Sequence, residues 1–146
     1  MTVHITAMTY QPKVEPVKRL ECRQTTRIFN PENPFVVGDD ILIHGWEGRP
    51  YRSPWNWRLP RMPLTQVVDM VAFRSCVAFW QNPLTGKPLS SQSCAISYYL
   101  WEDWIINELS RLDGIVPATG TEYKRVLEGF HAEFAESPAH FQILRW

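Results

Sequence analysis

The apolar residues of this chain change their repeat near residue 100, and that change limits the fold more than any other feature. Leu100, Trp101, Trp104, Ile105, Leu109 and Leu112 recur at the three- and four-residue steps of one helix face. Asp113-Gly114 then supplies a stop. A second helix is expected from Thr119, with Glu122 completing a capping box. Its buried face is Tyr123, Val126, Leu127, Phe130 and Phe134, and it ends before Ser137-Pro138. Both apolar faces, Trp101 and Trp104 included, read as core. Around this block the signals are those of strands. "VHITAMTY" alternates, Ile41-Leu42-Ile43 is a short buried run behind a Gly38-Asp39 turn, and "TQVVDMVAF" and "CVAFW" are rich in β-formers. The chain closes on "FQILRW", a final strand. "QPKVEPVKRLECRQTTR" opens with two prolines and leaves room for one helical turn around residues 17–20, "NPENP" is a turn, and "QNPLTGKPLSSQS" is a loop. Strands, then helices, then a strand returning to the sheet make an α+β fold with a small mixed or barrel-like sheet. At 146 residues the chain is expected to be one domain over 1–146.

One stretch stands apart. "WEGRPYRSPWNWRLPR", residues 46–61, carries three of seven tryptophans, one tyrosine and four arginines, in a chain of zero net charge. Pro50, Pro54 and Pro60 each remove an N–H donor and fix φ, so no regular helix forms there. It reads as a rigid, cationic, aromatic loop. The neutral total also hides an asymmetry. Residues 13–61 hold nine Lys or Arg against six Asp or Glu, whereas residues 102–136 hold eight acids against Arg111, Lys124 and Arg125. A cationic front on an acidic back suits a polyanion-binding face; an ordinary mixed surface is the alternative. Cys22, Cys76 and Cys94 are an odd, widely spaced set, which fits reduced thiols inside a cell. His4, His44, His131 and His140 form no HxxxH pair, so neither a metal nor a cofactor is expected. No apolar run approaches the roughly 20 residues of a membrane span, and no signal peptide is visible, so a cytoplasmic location is expected.

Three segments stand in an order that resembles the ASCH family: "LECRQTTR" (20–27), "VGDDILIHG" (37–45) and "FQILRW" (141–146). The family's first signature is a Gly-x-Lys-Thr-x-Thr-x-Arg type turn and its second a Val-Gly-Asp turn leading into a buried strand. Many members end in a Phe-Gln-Val-Ile-Arg-Trp type strand, and "TEYKRVLEGFHAEF" resembles the helix before it. The match covers about two-thirds of the chain, leaving residues 46–61 and 82–112 as elaborations. The resemblance implies a PUA-like β-barrel with two or three peripheral helices, a cleft lined by the first motif, and RNA or a nucleoside-like ligand as partner. In one branch the cleft hydrolyses an acylated cytidine through the motif lysine, the motif threonine and a later glutamate, and some members have been proposed as ribonucleases. Aligned on the final arginine, Arg27 matches the motif arginine and Thr25 the motif threonine. The lysine position falls on Cys22 and the glycine position on Leu20. A thiol cannot replace an ammonium group in that role. Glu47 and Asp69 are the acids nearest in position to the later glutamate.

The residues themselves suggest roles. Arg23 and Arg27 could grip a phosphate or carboxylate with two parallel hydrogen bonds, while Gln24 and Thr25 could read a base edge or a 2′-hydroxyl. Alternatively the motif is a turn whose hydroxyls and arginines satisfy local backbone groups. Cys22, flanked by Arg23, could be a nucleophile with His44 as base, although Glu21 opposes a lowered pKa. In the stretch at 46–61, Arg49, Arg52, Arg58 and Arg61 would hold a phosphate backbone, and Tyr51, Trp55 or Trp57 would stack bases. The alternatives are a cover whose tryptophans pack inward, and a protein-binding hot spot. The expectation is therefore a binding module for RNA or other single-stranded nucleic acid, with a cationic cleft between residues 22–27 and the 46–61 stretch. A small hydrolase acting on a modified nucleoside or RNA through Thr25, Cys22 and a carboxylate is the second reading, and a protein-interaction module using the 46–61 stretch the third.

Overall fold

The computed structural model describes residues 1–89, 95–135 and 137–146, so Cys94 and part of the expected 82–94 loop lie outside the described residues. In chain order the elements are β1 (Val3–Ala7), α1 (Gln11–Lys18), β2 (Gln24–Ile28), β3 (Asp40–Trp46), β4 (Trp55–Arg58), β5 (Met62–Pro63), β6 (Gln66–Ala72), β7 (Cys76–Phe79), β8 (Ser97–Leu100), α2 (Trp104–Leu112), α3 (Gly120–Phe130), a 3₁₀ turn (Ala132–Ala135) and β9 (Ala139–Arg145). The α+β class stands. The strands form two sheets, and among the described residues they close no single barrel. In the first sheet β3 is central: β1 lies parallel to it, with Val3 opposite Asp40, and β4 and β5 run antiparallel. The second sheet is antiparallel throughout, in the order β2-β9-β6-β7-β8.

Strand β9 explains how the layers stack. Phe141 and Ile143 point to one face, where Val68 and Met70 of β6 meet Ile106 and Leu109 of α2 and Tyr123 and Leu127 of α3. Leu144 points to the other face, against Ile41 and Ile43 of β3 and Leu64. A strand covered on both faces reads as an apolar run instead of an alternation, which is why "FQILRW" is legible as a strand. Gly38 at φ +95° makes the turn into β3, and its N–H donates to Leu64 O at 3.0 Å. An L side chain is strained at that φ. No helix among the described residues is long and apolar enough to cross a membrane.

Three expectations are corrected. The first helix is α1 at Gln11–Lys18, not a turn around 17–20. Pro12 sits in the first turn, where its missing N–H has no helical partner to lose. Pro16 removes one bond inside the helix, yet its own carbonyl accepts from Glu21 N and Cys22 N just past the helix end. Second, Leu100 ends strand β8, where it lies opposite Cys76 of β7, and α2 begins only at Trp104, its Asp103 cap accepting from Ile105 N at 3.0 Å. Trp101 is buried as expected, but Trp104 is 69% exposed and Phe130 of α3 is 56% exposed. Phe134 is buried from the 3₁₀ turn, not from α3. Third, residues 46–61 are no irregular loop. They contain β4 and pair with β3 (His44 opposite Arg58, Gly45 opposite Trp57), with a register shift at Gly45/Trp46. The expected exclusion of helix there holds, and Thr119 caps α3 as expected, accepting from Glu122 N at 3.1 Å, but Glu122 does not complete the box: its carboxylate accepts from Arg125 Nε, and Thr119 N donates to Pro117 O.

Candidate functional site

The two sheets present unpaired edges to each other: β1 is the edge of the first and β2 of the second. Between them opens a cleft of about 670 Å³. Its walls are the end of β1, Thr25 to Ile28 of β2, Lys13 of α1, Asp113 at the end of α2, Tyr123 and Phe130 of α3, and Trp46 and Tyr51 of the β3–β4 hairpin. The cleft thus joins the second half of the 20–27 motif to the tip of the aromatic stretch. Arg27 spans the gap, its Nη2 donating to Ala7 O at 2.7 Å and reaching Met8 Sδ at 3.5 Å. Among the described residues no carboxylate pairs with Arg27, and its Nε is buried without a partner. Trp46 lines the same cleft, and its Nε1 is likewise buried without a partner among the described residues. Burial pulls the Arg27 guanidinium below the usual arginine range, while Asp113 and Tyr51 pull the other way.

A polar network forms the cleft floor. Asp113 accepts from Lys13 Nζ at 3.3 Å, from Gln24 Nε2 at 3.1 Å and from Thr26 Oγ1 at 3.0 Å. Thr26 Oγ1 in turn shares a 2.5 Å hydrogen bond with Tyr123 OH. Burial, reinforced by Asp113, pushes the Tyr123 phenol well above its ordinary value, so the hydroxyl stays protonated. The Lys13 and Asp113 side chains are 5% and 6% exposed, so each charge depends on the other for neutralisation.

The sequence-expected residues separate into groups. Thr25 and Arg27 line the cleft, and Tyr51, 88% exposed at φ +65°, stands at its mouth. Gln24 bonds to the floor carboxylate but does not itself line the cleft: its amide donates to Leu109 O and Asp113, and its carbonyl accepts from Arg145 Nε at 2.8 Å, so no edge is left to read a base. Cys22 lines a different depression and donates toward Leu112 O at 3.5 Å; burial pushes its thiol up, the opposite of what an activated nucleophile needs. Thr25 and Cys22 therefore do not meet in one site. Arg23 donates from Nε to Trp146 O at 2.7 Å, beside Cys22. His44 is buried between rings, stacked on Trp55 at 3.9 Å and edge-on to Trp46 at 4.7 Å, and burial lowers its pKa. Trp57 lies on the bare Cα of Gly45, with Lys18 Nζ 5.7 Å from its ring. Arg61 is held by Asp40 through Nε at 3.1 Å and Nη2 at 2.8 Å. Arg49, Arg52 and Arg58 are exposed and, among the described residues, form no ion pair. Glu47 is exposed and Asp69 is engaged by His140 at 3.0 Å; neither lines the cleft.

Sequence reasoning missed Lys13, Asp113 and Tyr123 as cleft residues. Lys13 and Val17 share a face of α1 four residues apart, a faint sign that Lys13 is covered. Nothing in the sequence joins Lys13 to Asp113, 100 positions away. In comparisons with known proteins, no protein-family model, curated protein or solved structure matches the chain, so residues and geometry alone speak to what the cleft binds.

Proposed function

We propose that the protein is an ASCH-type domain of the cytoplasm that binds single-stranded RNA, seating one nucleotide in the cleft between β1 and β2. In this reading the two sheets are a PUA-like barrel parted along that seam. The observation that carries the proposal is the β3–β4 hairpin: Arg49, Arg52 and Arg58 stand exposed with no carboxylate partner among the described residues, while Tyr51 beside them stands at the cleft mouth. Unpaired arginines are free to meet phosphates, and an exposed ring offers a face on which any base can stack. Arg61 is not counted, because Asp40 already holds it, and Trp55 offers less because one face lies on His44.

The experiment is fluorescence anisotropy with short mixed-sequence RNA. Tyr51→Ala should weaken binding by about 5- to 150-fold, the equivalent of about 1–3 kcal/mol for one stacked base. Alanine keeps the same positive φ, so the difference reads the ring and not the backbone. Trp104→Ala, which removes an exposed ring on α2, should change nothing. Equal loss in both variants, or none in Tyr51→Ala, would count against the proposal.

A further inference from the structure

We propose that Arg27 is an anion subsite inside the cleft, built to take one oxyanion group of the bound ligand, a phosphate carried on a flat, ring-bearing body. The inference rests on the RNA reading and specifies what the cleft itself holds.

Lys13 and Asp113 lie 3.3 Å apart and cancel each other. Arg27 then remains in the cleft wall as a cation with no ion-pair partner among the described residues, Asp113 acting on it only from a distance while bonded to Lys13. A guanidinium carries five N–H donors in a fixed fork. Among the described residues only Nη2 is used here, on Ala7 O and Met8 Sδ, and Nε is buried without a partner. A half-buried cation with a buried, unsatisfied Nε is costly, and bidentate contact with an oxyanion lowers that cost. Trp46, another residue of the cleft wall, carries a second buried donor without a partner among the described residues, its Nε1. Two side chains that line one cavity thus carry idle donors, which the acceptor atoms of a seated ligand would satisfy.

The rest of the cleft specifies the body that bears the anion. Tyr51 and Phe130 line it and are 88% and 56% exposed. Such rings favour a flat partner over a compact inorganic ion. The Thr26 and Tyr123 hydroxyls bond to each other on the floor, which adds no negative charge to repel a phosphate. Among the described residues Asp113 is the one carboxylate lining the cleft, and Lys13, Gln24 and Thr26 occupy its oxygens. The shared chemistry is a phosphate beside a base, which a free mononucleotide or one unit of a strand can supply.

Calorimetry with uridine 5′-monophosphate, uridine, inorganic phosphate and a short RNA separates the cases. On wild-type protein the monophosphate should bind about tenfold or more tightly than uridine, because charge-assisted hydrogen bonds are the strong ones. It should also compete with RNA. Arg27→Gln should abolish that preference, and Arg27→Lys, which keeps the charge but loses the fork, should retain part of it. A structural tie from Arg27 to Ala7 alone would leave the ratio of the two ligands unmoved. Should Arg27→Gln fail to fold, the wild-type ratio decides. Equal binding of monophosphate and uridine overturns the subsite, even if RNA still binds. Monophosphate preference without any RNA binding supports the subsite and overturns the RNA reading instead. If only inorganic phosphate binds, the ring-bearing body is refuted.

Discussion

Replacing Asp113 by alanine is expected to cost the fold about 3–5 kcal/mol, the usual penalty for removing one partner of a buried ion pair. The substitution leaves Lys13 Nζ at the cleft floor without a carboxylate, and it takes an acceptor from Gln24 Nε2 and Thr26 Oγ1 at once. Gln24 keeps Leu109 O and Thr26 keeps Tyr123, so the uncompensated ammonium dominates the loss. Asp113→Asn preserves an oxygen for Gln24 and Thr26 and should lose less. Lys13→Met combined with Asp113→Leu should recover part of the stability, since an apolar pair can replace a buried ionic one. Urea denaturation of these variants beside the wild type checks the order. A loss below about 1 kcal/mol for Asp113→Ala would mean that Lys13 reaches water.

Gly120→Ala should be comparably severe, at least about 3 kcal/mol, at the upper end of what overpacking costs. A β-carbon there would stand 1.6 Å from the carbonyl oxygen of Trp101 and 2.9 Å from Ile106 Cγ2. The first neighbour is backbone and cannot swing aside. Trp101 is fixed as well, its indole donating to Phe73 O at 3.0 Å, and Gly120 N donates to Asn107 Oδ1 at 2.8 Å. The start of α3 is therefore docked on α2 through a bare Cα. At Gly129, in the same helix, an added methyl group would meet no atom of the described residues within 4 Å. Gly129→Ala should leave the fold intact or stabilise it by up to about 1 kcal/mol, the helix-propensity difference. Opposite signs for the two substitutions, read from urea midpoints, are the expected result. Similar values would show that the contact at Trp101 is not as close as described.

The elements legible in the sequence are those in which local chemistry and tertiary context agree. Strand β9 shows because both faces are covered, the turn into β3 because Gly38 adopts φ +95°, and the start of α3 because Thr119 caps it. The elements misread are those settled by packing. Pro12 and Pro16 look like breakers, yet Val17, completely buried, holds α1 in place. Leu100 fits the helical repeat, yet a free edge of β7 takes it as a strand. The cleft was half legible. Alternation along β2 separates Thr25 and Arg27 from Gln24 and Thr26. It does not reveal that helices cover one face, where Gln24 is consumed by Leu109 and Asp113. The polar floor could not be foreseen, because Asp113 looks like an ordinary helix stop until the chain folds back onto Lys13.

The measurement that tests the central claim most directly is the salt dependence of RNA binding, for the wild type and for an Arg49→Ala, Arg52→Ala, Arg58→Ala triple variant. Three phosphate contacts on a single strand give a log–log slope of about −2, or about a twentyfold loss of affinity between 50 and 200 mM salt. The wild type is expected to show at least that slope, and the variant should bind weakly with the slope reduced by about 2. Identical slopes for the two proteins, or wild-type binding indifferent to salt, would contradict the account.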